Sequence, residues 1–114
     1  MNHRAHWENV RALKCCLSHT DQSVTIHHCK SGSMVDYFGQ NKTRADNHFL
    51  VIPLAEKYHT GEFGIDAGMG VRTWEMIFST QVAHLCWVNE QLDYDIFDLA
   101  EVPTPEPKDR IYGL

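Results

Sequence analysis

Apolar positions fall into short periodic runs separated by polar and glycine-rich stretches. Trp7, Val10 and Leu13 recur three apart within residues 4–14, the pattern of an amphipathic helix. Ser23-Val24-Thr25-Ile26-His27-His28 alternates polar and apolar and is rich in β-branched residues, so it predicts a strand. Residues 30–47 hold Gly32, Gly39 and mostly polar side chains and predict a long loop, a feature that is usually functional in so small a domain. His48-Phe49-Leu50-Val51-Ile52 predicts a second strand. Pro53 then suits the first position of a helix, where its missing N–H is harmless, and that helix would run to about His59 with Gly61 as a left-handed cap.

Gly64, Gly68 and Gly70 mark a turn-rich stretch. Val71, Trp74 and Phe78 are spaced for a further helix. Ser79-Thr80 breaks it and caps the next, in which Val82, Leu85, Cys86 and Leu92 share a face. Pro103, Pro105 and Pro107 exclude regular helix and central strand, so residues 101–114 are expected as an extended or disordered tail after a single domain over residues 1–100. The fold class is therefore α+β: two strands and a short helix, with one leading helix and two trailing helices. There is no internal repeat.

An apolar fraction of 43% in 114 residues supports one modest core. No stretch approaches the roughly 18 apolar residues of a membrane span. The N-terminus lacks the apolar run of a signal peptide, so a cytoplasmic protein is expected. Cys15 and Cys16 are adjacent while Cys29 and Cys86 stand apart, and without secretory context reduced thiols are expected. The net charge of −5 argues against a nucleic-acid partner until its distribution is considered. Residues 1–89 carry eight basic and eight acidic side chains, and residues 90–114 carry two and seven, so the acidic surplus is confined to the C-terminal end.

Eight histidines are the most unusual feature of the composition. His27 and His28 end the first predicted strand, His48 begins the second and His59 lies on the short helix. Adjacent strand residues point to opposite sides, so His27 and His28 are placed to divide labour, one ligating a metal and the other handling a proton. Phosphodiester hydrolysis needs both: a metal to polarise the phosphate, and a neutral imidazole with a pKa of about 6.5 to take a proton from water.

The run Ile26-His27-His28-Cys29-Lys30-Ser31-Gly32, then His48-Phe49-Leu50-Val51-Ile52-Pro53-Leu54 with His59-Thr60-Gly61, then Gly64-Ile65-Asp66-Ala67-Gly68 and Thr73-Trp74-Glu75, resembles the phage recombination-enhancement nucleases. Those are HNH (ββα-metal) endonucleases of the RecA-dependent, Ref-like type, and the similarity covers roughly residues 10–92. The resemblance implies a ββα-metal core and cleavage of DNA in a bacterial host. It implies His27 and His59 as metal ligands, His28 as general base and His48 as the residue that orients the base. Asp66 stands where many relatives carry a histidine close to the metal, and an oxygen ligand there favours Mg²⁺ or Mn²⁺, with Zn²⁺ also compatible. DNA held in a RecA filament is the partner implied, and a homodimer is a possible assembly. Relatives often carry a second, structural zinc site. Here the corresponding positions read Cys15-Cys16-Leu17-Ser18, Ala55 and Tyr58, which fits loss of that zinc with apolar packing in its place.

Other readings compete at several residues. Cys16, His19 and Cys29 are candidates for a small zinc site without an obvious fourth ligand, and buried free thiols are the plainer expectation. Lys30, Lys42 and Arg44 are either a phosphate grip or a solvated basic loop. Trp74, Phe78 and Trp87 are expected in the core or at an interface. His84, on an amphipathic helix, is expected at the surface. A rival function is a phage-encoded protein-binding module on an inactive HNH scaffold, which would use the acidic C-terminal end.

Overall fold

The computed structural model describes residues 1–39 and 47–106. Helix α1, His3–Arg11, starts at Asn2, whose side chain accepts from the Ala5 amide at 2.9 Å and satisfies one of the free donors of the first turn. It buries His6 and Val10. Strands β1, Val24–His28, and β2, Val51–Ala55, form an antiparallel two-stranded sheet pairing Val24 with Ala55 and His28 with Val51. Among the described residues six helices surround this hairpin in an α+β arrangement: α1, α2 (Ser33–Phe38), α3 (Glu56–His59), α4 (Val71–Phe78), α5 (Gln81–Gln91) and α6 (Ile96–Leu99).

The second strand lies three residues later than its sequence pattern predicts, and it contains Pro53 rather than ending before it. The Cys29 amide donates to the Leu50 carbonyl at 2.9 Å, which makes Cys29 and Leu50 a hydrogen-bonded pair. Alternation along the ladder then makes Ile26 and Pro53 a non-hydrogen-bonded pair, where no ladder N–H is needed. The Pro53 carbonyl faces outward and accepts from the Cys16 amide at 2.9 Å. The helix therefore starts at Glu56 and lasts a single turn. It does not end on a left-handed glycine, because Gly61 is not among the residues with positive φ. A Cβ at Gly61 would lie 2.9 Å from the Lys57 Cα, so close backbone approach accounts for the glycine.

All five residues of β2 are buried because both faces of the hairpin are covered. Trp7 of α1 packs edge-on to His28 at 5.2 Å between ring centroids, and Gln81 of α5 meets His27 on the other face. The stretch expected as a long loop contains α2. That helix begins at Gly32, with φ at 52°, and its first amide, Ser33 N, donates to the Glu75 carboxylate at 2.9 Å. A Cβ at Gly32 would collide with Glu75 and Val71. The Glu75 cap comes from 42 residues away, so local sequence carries no sign of it.

The trailing region has a third helix, α6, capped by Asp95, which accepts from the Phe97 amide at 2.9 Å. Helix α5 is buried on nearly every side, which overturns the surface position expected for His84. His84 is 5% exposed, packs against Trp74 and donates from Nε2 to the Phe78 carbonyl. Beyond α6 the chain turns at Glu101, with φ at 59°, and forms no regular element up to Glu106; Tyr37 Oη donates to the Thr104 carbonyl and accepts from the Glu106 amide. Lys42, Arg44 and the last eight residues lie outside the described residues. No helix among the described residues is long and apolar enough to cross a membrane.

Two predictions follow from the packing. Burial lowers the pKa of His6, against the opposing pull of the Phe49 carbonyl, and lowers that of His84, against the Phe78 carbonyl and Glu75. Both are therefore neutral in the fold, while the unfolded chain takes up their protons near pH 6.5. Their contribution to stability is complete above about pH 6.5 and is lost as pH falls toward their folded pKa values, by about 1.4 kcal/mol per pH unit for each proton taken up. The urea midpoint should fall between about pH 7 and pH 5, and His84→Gln should flatten that slope; a parent midpoint that does not change with pH would refute this. Second, Cys15, Cys16 and Cys29 are all core residues, and Ala55 is 8% exposed. The protein should therefore keep its circular dichroism after exhaustive chelation, whereas structural zinc typically supplies on the order of 10 kcal/mol.

Candidate metal centre

His27 lies next to the end of β1 and its side chain is 1% exposed. Thr25, two residues earlier, shares its face of the strand. His59 closes the single turn of α3, immediately after β2, and its side chain is 14% exposed. Asp66 comes from the glycine-rich turn that follows, and its backbone amide donates to the His59 carbonyl at 2.9 Å, which ties the turn to the helix. The three side chains meet: Asp66 Oδ2 is 3.1 Å from His27 Nδ1 and 2.9 Å from His59 Nε2. One candidate ligand atom from each of the three lies within 4.8 Å of those of the other two. The Asp66 side chain is 27% exposed, so the cluster is buried on the histidine side and open to solvent on the carboxylate side.

Each histidine is held from behind. His27 Nε2 is 2.9 Å from Gln81 Oε1, and His59 Nδ1 is 2.7 Å from Thr25 Oγ1. Burial alone would raise the Asp66 pKa, but hydrogen bonds and charge from His27 and His59 outweigh it and hold the carboxyl at about 2. Burial, with the positive charge of His27 next, lowers the pKa of His59 despite Asp66.

The structure brings His28 and His48 together on the opposite face of β1. His28 Nε2 lies 3.2 Å from His48 Nδ1, and Trp7 Nε1 donates to the His48 carbonyl at 2.8 Å. Burial lowers the His28 pKa, and positive charge on His48, His27, Lys30 and His59 lowers it further. Lys30 is exposed. The three residues singled out as a zinc alternative do not assemble with a fourth ligand. All four cysteines are free and buried, His19 packs its ring against Trp87, and the histidine–aspartate group is the one potential cluster of three or more ligands among the described residues. The cysteines differ in chemistry. Burial pushes the Cys16 and Cys29 thiols up, whereas amides of Ala55, Ser18 and Leu17 and the Ser18 side chain outweigh burial and pull Cys15 down.

Sequence reasoning missed Thr25, Gln81 and Glu75. Thr25 carried a usable signal, since a strand residue two before His27 shares its face. Gln81 carried none, and Glu75 stood only within the run that carries the family resemblance, without a sign of its capping role, because their partners lie about 40 to 55 residues away. No protein-family model, curated protein or solved structure matches this chain.

Proposed function

We propose that the chain is a divalent-metal-dependent endonuclease that hydrolyses phosphodiester bonds in DNA. The observation that carries this reading is the convergence of two imidazole nitrogens and a carboxylate oxygen within 4.8 Å, at a point open to solvent on one side. Three protein ligands leave coordination positions for water and a phosphate, as catalytic rather than structural sites do. Two imidazoles suit Mn²⁺ or Zn²⁺, and the carboxylate keeps the site competent for Mg²⁺. A divalent ion held there would polarise the phosphate and stabilise the leaving oxygen.

In this reading His28 takes the proton of the attacking water. Its lowered pKa keeps it neutral and able to do so at neutral pH. His48 orients it through the 3.2 Å contact between their rings. Lys30, exposed two residues beyond the strand, draws the phosphate, and Lys42 and Arg44, outside the described residues, are proposed from the sequence as further phosphate contacts. The order β1, β2, α3, with ligands from the first strand and the short helix, supports a ββα-metal core of the HNH kind. A protein-binding role is favoured by two other features, the acidic surplus over residues 90–114 and the exposed Met76 and Ile77.

Cleavage of plasmid and single-stranded DNA across Mg²⁺, Mn²⁺ and Zn²⁺, bare and coated with RecA, tests the proposal. His27→Ala and His59→Ala should each abolish stoichiometric metal uptake and cleavage together. His28→Ala should keep metal uptake and lose about 10²- to 10⁴-fold in rate, the usual contribution of one general base. Parental cleavage by His28→Ala at saturating metal would remove His28 as the base. A parent protein that takes up metal yet cuts no DNA under any of these conditions would leave the protein-binding reading.

A further inference from the structure

We propose that Gln81 and Thr25 are positioning residues that fix the tautomers of His27 and His59, presetting the cluster as three electron-pair donors aimed at one point. The inference rests on the metal-binding part of the function proposed above. Gln81 is fully buried and its amide orientation is determined by backbone groups on both sides. Its Nε2 lies 2.9 Å from the Lys30 carbonyl and 3.4 Å from that of Ser31, so this end donates. Its Oε1 accepts from the Lys30 amide at 3.1 Å. Turning the amide over would set an NH₂ against an N–H and an oxygen against two carbonyls. Oε1 is thus an acceptor, and His27 Nε2, 2.9 Å away, donates to it. A neutral imidazole carries one N–H, so His27 Nδ1 holds a lone pair.

The same deduction holds for His59 through a different group. The Thr25 hydroxyl has one hydrogen, and it donates that hydrogen to the Leu54 carbonyl at 2.8 Å. Its oxygen therefore accepts from His59 Nδ1 at 2.7 Å, which leaves the lone pair on Nε2. The nitrogens left bare, Nδ1 of His27 and Nε2 of His59, are the two that lie 3.1 and 2.9 Å from Asp66 Oδ2. Opposite tautomers are thus imposed on the two rings, and both bring a lone pair to one carboxylate oxygen. Three acceptors that face one another repel unless a cation lies between them. Without metal, that cation is a second proton on a ring, which then donates to Asp66 and holds its carboxyl low; with metal, it is the ion that displaces that proton. Partners that orient ligating histidines in this way typically contribute about 10- to 100-fold in metal affinity.

The test reads tautomer and affinity without DNA. Long-range ¹H–¹⁵N correlation spectra of the metal-free protein at mildly alkaline pH should place the His27 proton on Nε2 and the His59 proton on Nδ1. Gln81→Leu removes one acceptor, and Thr25→Val removes the other at nearly constant volume. Each should weaken Mn²⁺ and Zn²⁺ binding in calorimetry by about 10- to 100-fold, with circular dichroism retained, and should redistribute the proton on its own histidine only. A His27 proton found on Nδ1, or parental affinity in both Gln81→Leu and Thr25→Val, overturns the proposal. If Gln81→Leu does not fold, the parent spectrum and Thr25→Val decide it. A parent that binds metal with these tautomers and cuts no DNA overturns the nuclease reading and leaves this assignment standing.

Discussion

The buried carboxylate of Glu75 is the interaction on which the arrangement of the site depends. It accepts from the Ser33 amide and hydroxyl on one side and from the Gln81 amide, at 2.8 Å, on the other. It thereby supplies the first turns of both α2 and α5 with an acceptor at helix ends where backbone donors are otherwise free. Deleting it would leave the buried Gln81 amide without this acceptor, at about 1–3 kcal/mol, and free the half-buried Ser33 amide and hydroxyl as well. Gln81 is fixed in this way at the start of α5, and its side-chain amide reaches the backbone of Lys30 and Ser31 and the ring of His27. A carboxylate that touches no ligand thus connects two helices to the end of β1.

The hairpin converts this rigidity into two separate environments. Because successive strand residues face opposite ways, His27 is held against α5 with its side chain almost wholly buried, and His28 packs on Trp7 with His48 at its edge. Asp66 stands beside the first ring and not beside the second, so the two imidazoles experience opposite fields. His27 shares a carboxylate with His59, whereas the neighbours that act on His28 are positive and lower its pKa. The proposed division of labour, metal binding by His27 and proton acceptance by His28, would use this separation, since a base close to a carboxylate holds its proton more tightly.

The parts of this architecture that depend on local pattern were legible in the sequence. The β-branched alternation around Ile26 marked β1, and the histidine spacing together with the family resemblance pointed to His27, His59 and Asp66, which the fold brings together. The parts set by distant partners were not. Pro53 read as a helix start because its place in the ladder depends on the register with Ile26. Ser33–Phe38 read as loop because its cap is Glu75. His84 read as exposed because nothing local reveals that α5 is covered on both sides. Gln81 drew no attention beside the Thr80 cap, since its role lies in side-chain contacts across the molecule.

Asp66 presents the opposite difficulty, a candidate ligand on a turn that must be as well placed as the candidates on regular elements. The turn is fastened to α3 by backbone bonds: Phe63 donates to Lys57, Ile65 to Tyr58 and Asp66 to His59. These bonds require the chain to pass close over the end of the helix, and Gly64 makes that approach possible. A Cβ there would lie 2.5 Å from the His59 carbonyl oxygen, backbone that cannot move without moving the His59 side chain. Any side chain at Gly64 would therefore displace His59 and Asp66 together. The glycine-rich stretch over residues 61–70 thus contributes precision where its composition suggests looseness, because the absence of a side chain lets the turn lie directly on the helix that carries the second histidine.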